Sequence, residues 1–120
     1  MKVSWPHPKL FPNAHRGRSH RVYQKQKAEA RREGFYAAKA AKVKLPAGNL
    51  VLHVLFAEPN RRRRDMDGML GAVKSHIDGM CKALKIDDSQ FVSVVLERYY
   101  DPEKKGFVQF TIGSTSNTGA

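Results

Sequence analysis

Seven consecutive residues, Arg61-Arg62-Arg63-Arg64-Asp65-Met66-Asp67, set four cations directly before two carboxylates spaced i, i+2. Arginine guanidinium groups are forked, permanently charged donors matched to phosphate oxygens. Carboxylates repel phosphate, so beside such a run they need a neutralising partner. A divalent ion provides one, and aspartate oxygens are ligands that Mg²⁺ or Mn²⁺ prefers. The combination points to chemistry on a phosphodiester. The competing reading is a solvated charge cluster whose aspartates pair with arginines of the same chain; the segment alone weighs the two evenly.

Downstream residues extend the pattern. If a helix begins near Asp67, then Asp67, Gly71, Lys74 and Asp78 share one stripe at i, i+4, i+7 and i+11. Lys74 then lies roughly 10 Å along the axis from Asp67, near enough to share a phosphate with an ion held there. The bland alternative is an exposed lysine paired with Asp78. Asp87 and Asp88 follow in Ile86-Asp87-Asp88-Ser89, where turn carboxylates are usually structural. Should that loop lie beside the Arg64–Asp67 loop, a third carboxylate would complete an acidic cluster. Asp65-Met66-Asp67-Gly68 does not continue into an EF-hand, and the histidines at 7, 15, 20, 53 and 76 lack zinc spacing. His53 falls mid-strand and reads as a packed histidine. No nucleophile triad and no phosphate-binding glycine loop is present, so no small-molecule cofactor is expected.

Composition narrows the partner. Among 120 residues, 22 Lys+Arg against 11 Asp+Glu give a net charge of +11, a field that draws in nucleic acid or an anionic membrane. No apolar run approaches the ~20 residues that span a bilayer, and no basic amphipathic helix with bulky apolar residues stands out. Nucleic acid is the expected partner, not a membrane. The lone cysteine, Cys81, argues against a disulfide scaffold or a cysteine-based zinc site and fits a reducing cytosol.

The elements that must position these residues follow from periodicity. Met1–Trp5 reads as a short strand, and 7–21 as a basic loop with His15, Arg16, Arg18 and His20. Tyr23–Lys42 has helical composition with a thin apolar stripe. Leu50–Ala57 is apolar on both faces, as in a central strand. The spacing of Leu70, Val73, Ile77, Met80 and Leu84 predicts one continuous amphipathic helix with Asp67 as its N-cap. Phe91–Tyr100 and Gly106–Ile112 are strand-like, and Asp101–Lys105 between them reads as a hairpin loop. The expectation is a single α/β (α+β) domain over 1–113. A mixed sheet of about four strands packs with two longer helices, and 114–120 form a disordered tail.

These residues together resemble the RusA family of Holliday-junction resolvases. The likeness rests on Arg61 to Asp67, Lys74, Asp78-Gly79 and Ile86-Asp87-Asp88. Trp5-Pro6, Asn13 and Gly17-Arg18-Ser19-His20 add weaker support. It covers nearly the whole chain, to about Ile112. The resemblance implies a homodimeric, Mg²⁺-dependent endonuclease (Mn²⁺ a possible substitute) that nicks four-way or other branched DNA symmetrically. Asp65, Asp67 and Asp88 match the family's metal-binding carboxylates, Lys74 its essential lysine, and Arg64 a DNA-contacting arginine. Asp87 is the less certain of the Asp pair. Gly68 departs from the pattern, which has Asn there. With the basic loops, Arg16, Arg18 and Arg61 to Arg64 become the expected backbone contacts, and the setting the cytoplasm of a bacterial or phage-infected cell. The alternatives are a non-catalytic basic nucleic-acid-binding protein and a less selective branched-DNA or flap nuclease.

Overall fold

The computed structural model describes residues 1–12 and 20–115. In chain order these form β1 (Lys2–Ser4), α1 (His20–Ala41), β2 (Asn49–Glu58), α2 (Met66–Ala72), α3 (Lys74–Leu84), β3 (Phe91–Tyr100) and β4 (Phe107–Thr115). Short 3₁₀ turns occupy Pro8–Leu10 and Asp88–Gln90. The four strands make one mixed sheet in the order β1-β4-β2-β3. β4 is antiparallel to both β1 and β2, whereas β3 is parallel to β2. The mixed α+β architecture is the expected one. Residues Asn13, His15, Arg16, Gly17, Arg18 and Ser19 of the expected basic loop lie outside the described residues.

The sheet buries one face. Leu52, Val54 and Phe56 of β2 join Val108 and Phe110 of β4 and Val3 of β1. Ala38 of α1, Met69 of α2, Val73 between α2 and α3, and Met80 of α3 pack on them from the helical side. Along β2 the alternate residues differ: Val51 and Leu55 are half-buried and His53 is exposed. His53 is therefore not a packed histidine, because no helix among the described residues covers the second face of the sheet.

α1 has few apolar residues, and its packing depends on small ones. Ala30, Gly34 and Ala38 recur at i, i+4 and i+8 and are its buried positions. They meet the face of α3 that buries Ser75, His76 and Gly79. A Cβ at Gly34 would overlap the backbone of His76, and one at Gly79 the backbone of Arg31. Backbones in contact at two points leave no room for side chains, so this helix pair is held by close approach.

Three expectations are corrected. The predicted continuous helix is two: Val73, at φ −107° and ψ 7°, interrupts it between α2 and α3. Its N-cap is Asp65, whose extended backbone (φ −92°, ψ 156°) lets its carboxylate accept from the Gly68 N–H, while Asp67 sits in the first turn. With the break, the core-facing residues become Met69, Val73 and Met80; Leu70, Ile77 and Leu84 are half-buried at its margin. Second, 101–105 is not a hairpin loop, since β2 lies between β3 and β4. Asp101 organises that connection by accepting from the backbone N–H groups of Glu103, Lys105 and Gly106. Third, β4 continues through Ser114 and Thr115, which pair with Leu50 and Asn49, so the strand outlasts residue 113.

Candidate nucleic-acid and metal site at the C-terminal end of β2

β2 is apolar until Glu58, where a carboxylate ends the strand with only 7% of the residue exposed. A buried charge requires partners. Arg98 supplies a two-pronged contact from β3, Nε to Oε2 at 3.1 Å and an Nη to Oε1 at 2.7 Å. Arg64 adds a third bond to Oε1 at 3.2 Å. Arg98 also donates to the Arg64 carbonyl at 2.9 Å, and Arg64 to the Asn60 side chain at 2.8 Å. The Arg64 guanidinium lies over Trp5, 5.1 Å from the ring centre. Glu58 thus ties β3, the end of β2 and the loop before α2 into one unit. Sequence reasoning passed over Glu58 and Arg98. The available signal was a carboxylate closing an apolar strand just before the arginine run.

The four arginines divide by employment. Arg64 is spent on this network, its side chain 13% exposed. Arg61 stacks over Tyr100 at 4.5 Å. Arg62 and Arg63 are exposed and form no ion pair among the described residues. Arg61 to Arg63 therefore present the accessible positive charge, while Arg64 holds the loop in shape.

Asp65 and Asp67 follow immediately, both exposed. One Asp65 oxygen accepts from Gly68 N–H at 2.7 Å. A Cβ at residue 68 would meet that oxygen, so a larger residue there would shift the Asp65 carboxylate. The second Asp65 oxygen and the Asp67 carboxylate make no hydrogen bond within the described chain. Lys74 opens α3, exposed, and forms no ion pair with Asp78. The break at Val73 removes the continuous stripe on which the Asp67–Lys74 alignment was built.

Asp88 does not join this group within one protomer. β2 and β3 are parallel, so the chain leaves β2 at one end of the sheet and must return through α2 and α3 to the other. Asp65 and Asp67 begin that crossover, and Asp87 and Asp88 end it. Phe91, just after Asp88, pairs with Leu50, whereas Glu58, just before the arginines, pairs with Tyr100. Eight strand residues separate the two levels, about 26 Å. Among the described residues no group of three His, Cys, Asp or Glu side chains is placed to hold a metal ion.

The Asp doublet has its own environment. Asp87 caps the 3₁₀ turn, accepting from Ser89 N–H, while its own N–H donates to the Gln90 side chain at 2.8 Å. The Ser89 backbone bond, then contact with the Asp88 side chain, holds the Asp87 carboxyl below its ordinary range. Both carboxylates are exposed; Asp87 is the one committed to the cap, and Asp88 is the one that is not. A hollow of about 400 Å³ beside them is lined also by Asp78, Cys81, Lys82 and Lys85. Burial first, then the charges of Asp88, Asp78 and Asp87, push the Cys81 thiol up to about 11, which keeps it a protonated, unreactive thiol at neutral pH.

No family model matches the chain. It is 35% identical over 101 residues to an uncharacterized protein of Xylella fastidiosa (strain Temecula1); the alignment covers 78% of this chain and 62% of that protein. The chain thus spans less than two thirds of this relative's length. No helix among the described residues is long and apolar enough to cross a membrane.

Proposed function

We propose that this protein is a divalent-metal-dependent endonuclease of the RusA type, acting on four-way or otherwise branched DNA as a homodimer. The observation that carries the reading is the arginine run ending on two solvent-facing carboxylates, with the run's backbone fixed by Glu58. Arg61 to Arg63 offer phosphate contacts that position the strand without reading bases. Asp65, through its free oxygen, and Asp67 supply hard oxygen ligands suited to Mg²⁺, an ion commonly held by one or two carboxylates plus water and phosphate oxygens. Asp65 and Asp67 would hold the ion, whose chemistry there would be to activate a water and offset charge on the phosphate. Lys74 follows on the same crossover, as an exposed cation for the scissile phosphate or leaving oxygen.

Asp88 enters through the second copy. β3 is an edge strand of ten residues with Val92 and Val94 59% and 44% exposed, and an open apolar edge invites a further strand. Antiparallel pairing of β3 with β3 of another copy about a twofold axis sets the start of one strand beside the end of the other. That brings Asp88 of the second copy to the Arg61–Asp67 end of the first, and the reverse. Each dimer then has two equivalent sites, which suits paired cuts in a near-symmetric junction. A cytoplasmic setting accords with this role.

Replacing Asp67 by Asn and assaying a synthetic four-way junction with Mg²⁺ tests the reading. Nicking should fall at least about a hundredfold while junction binding persists. Nicking at the wild-type rate would remove Asp67 from the metal site. A purely adhesive protein would show no Mg²⁺-dependent cleavage at all, only affinity that falls with added salt.

A further inference from the structure

Beside the acidic pair, the 5–12 segment and the arginine run enclose a basin of about 620 Å³. Its volume falls within the roughly 300–1,000 Å³ typical of sites that take a ligand-sized group. One wall is flat and apolar: Trp5 and Phe11, ring centres 6.3 Å apart and 34° from parallel, with Pro8 and Pro12 around them. Phe56 meets Trp5 edge-on from the core and fixes its plane. The rim carries the guanidinium groups of Arg62 and Arg63, which form no ion pair among the described residues, and Asp65. The braced Arg64 covers part of the Trp5 ring, 5.1 Å from its centre, so the accessible aromatic surface is Phe11 and the remainder of Trp5. Gly68 and Met69 of α2 complete the lining. Core packing accounts for the buried parts of Trp5 and Phe11, and their exposed parts line the same basin as Arg62 and Arg63.

We propose that this basin takes one unstacked nucleotide from a DNA branch point, its base against Trp5 and Phe11 and its phosphate toward Arg62 and Arg63. Aromatic faces bind bases of any sequence, and the cationic rim suits the attached backbone. A base in a duplex is stacked on both sides and does not fit; a base at a branch is already half released. The basin would therefore favour branched over linear DNA and hold the neighbouring phosphate beside Asp65 and Asp67. This inference rests on the nuclease reading for its substrate.

Trp5 is the single tryptophan of the chain, so intrinsic emission reports on the basin directly. The experiment uses the Asp67→Asn protein without Mg²⁺ and three DNAs. They are a four-way junction, the same junction with abasic sites at the nucleotides flanking the branch, and a linear duplex. The intact junction should quench Trp5 emission at least about twofold at saturation. The abasic junction should bind with affinity within about threefold by anisotropy, because it forfeits stacking but is spared unstacking, yet leave emission nearly unchanged. The duplex should also leave it unchanged. Equal quenching by intact and abasic junctions, or saturated binding without quenching, overturns the proposal. Wild-type nicking is scored separately. Nicking without quenching removes the basin and spares the nuclease; quenching without Mg²⁺-dependent nicking does the opposite.

Discussion

The two ends of the sheet carry the same residue type in opposite circumstances. At the C-terminal end of β2, Asp65 and Asp67 follow a loop that Glu58, Arg98 and Asn60 hold through several charge-assisted bonds. At the N-terminal end, Asp87 and Asp88 sit on a single exposed 3₁₀ turn beside Lys82 and Lys85, fixed mainly by Asp87's own capping bonds. One end is a braced platform with accessible cations and an aromatic basin. The other is a lightly held turn with one exposed carboxylate, Asp88, that does not serve as its cap. A braced end and a simple one are what two copies need if each lends a ligand to the other's site.

Mixing variants breaks or sharpens that division most strongly. Asp67→Asn and Asp88→Asn should each reduce nicking at least about a hundredfold. After subunit exchange, half the dimers are mixed, and each mixed dimer regains one intact site from its two healthy ends. Recovery of about a quarter of wild-type nicking, cut in one strand only, is the expected outcome. No recovery on mixing would place all ligands within one chain or remove Asp88 from the site.

A smaller effect is expected from loosening the braced end. Glu58→Gln leaves Arg64 and Arg98 without a carboxylate in a partly buried setting. The cost is about 2–3 kcal/mol, below the roughly 3–5 kcal/mol of a fully buried break because Arg98 is well exposed. Chemical denaturation should show it as a lower midpoint with an unchanged slope. The matching change at the other end, Asp87→Asn, should leave the midpoint nearly unmoved, because asparagine caps a helix about as well as aspartate. Equal losses at both ends would erase the contrast.

The mildest effect concerns acid. At Asp101, backbone bonds from Gly106 first, then Glu103 and Lys105, hold the carboxyl below its ordinary range. At Glu33, burial pushes the carboxyl upward, but bonds from His76 and from the Ser4 amide and hydroxyl outweigh it, and the net shift is downward. Carboxyls lowered by folding add stability above their unfolded pKa and lose it as pH falls through the folded one. The melting temperature should therefore hold between about pH 5 and 7 and drop below about pH 4. Asp101→Asn should make that drop shallower. An unaltered acid limb in that variant would show that Asp101 contributes nothing to it.

Local pattern carried much of this protein. The alternation and β-branched content of 50–57 and 91–100 and the Ala- and Lys-rich composition of 23–42 placed two strands and the first helix close to where they lie. The break at Val73 was less legible, because Leu70, Val73 and Ile77 keep helical spacing across it. The Ala30-Gly34-Ala38 contact with Gly79 was invisible to hydropathy, since small residues signal close approach only when the partner backbone is known.

The sequence by itself determined that arginines and aspartates of the right chemistry stand side by side at 61–67, because adjacency along a chain is adjacency in space. Tertiary structure alone decided that Asp88 lies at the far end of the sheet, that Arg64 is spent on Glu58 and that Trp5 and Phe11 face the arginine run. Parallel pairing forces a crossover to end where its strand began, and a buried carboxylate takes its cations from wherever the fold brings them. Neither constraint is written in any local spacing.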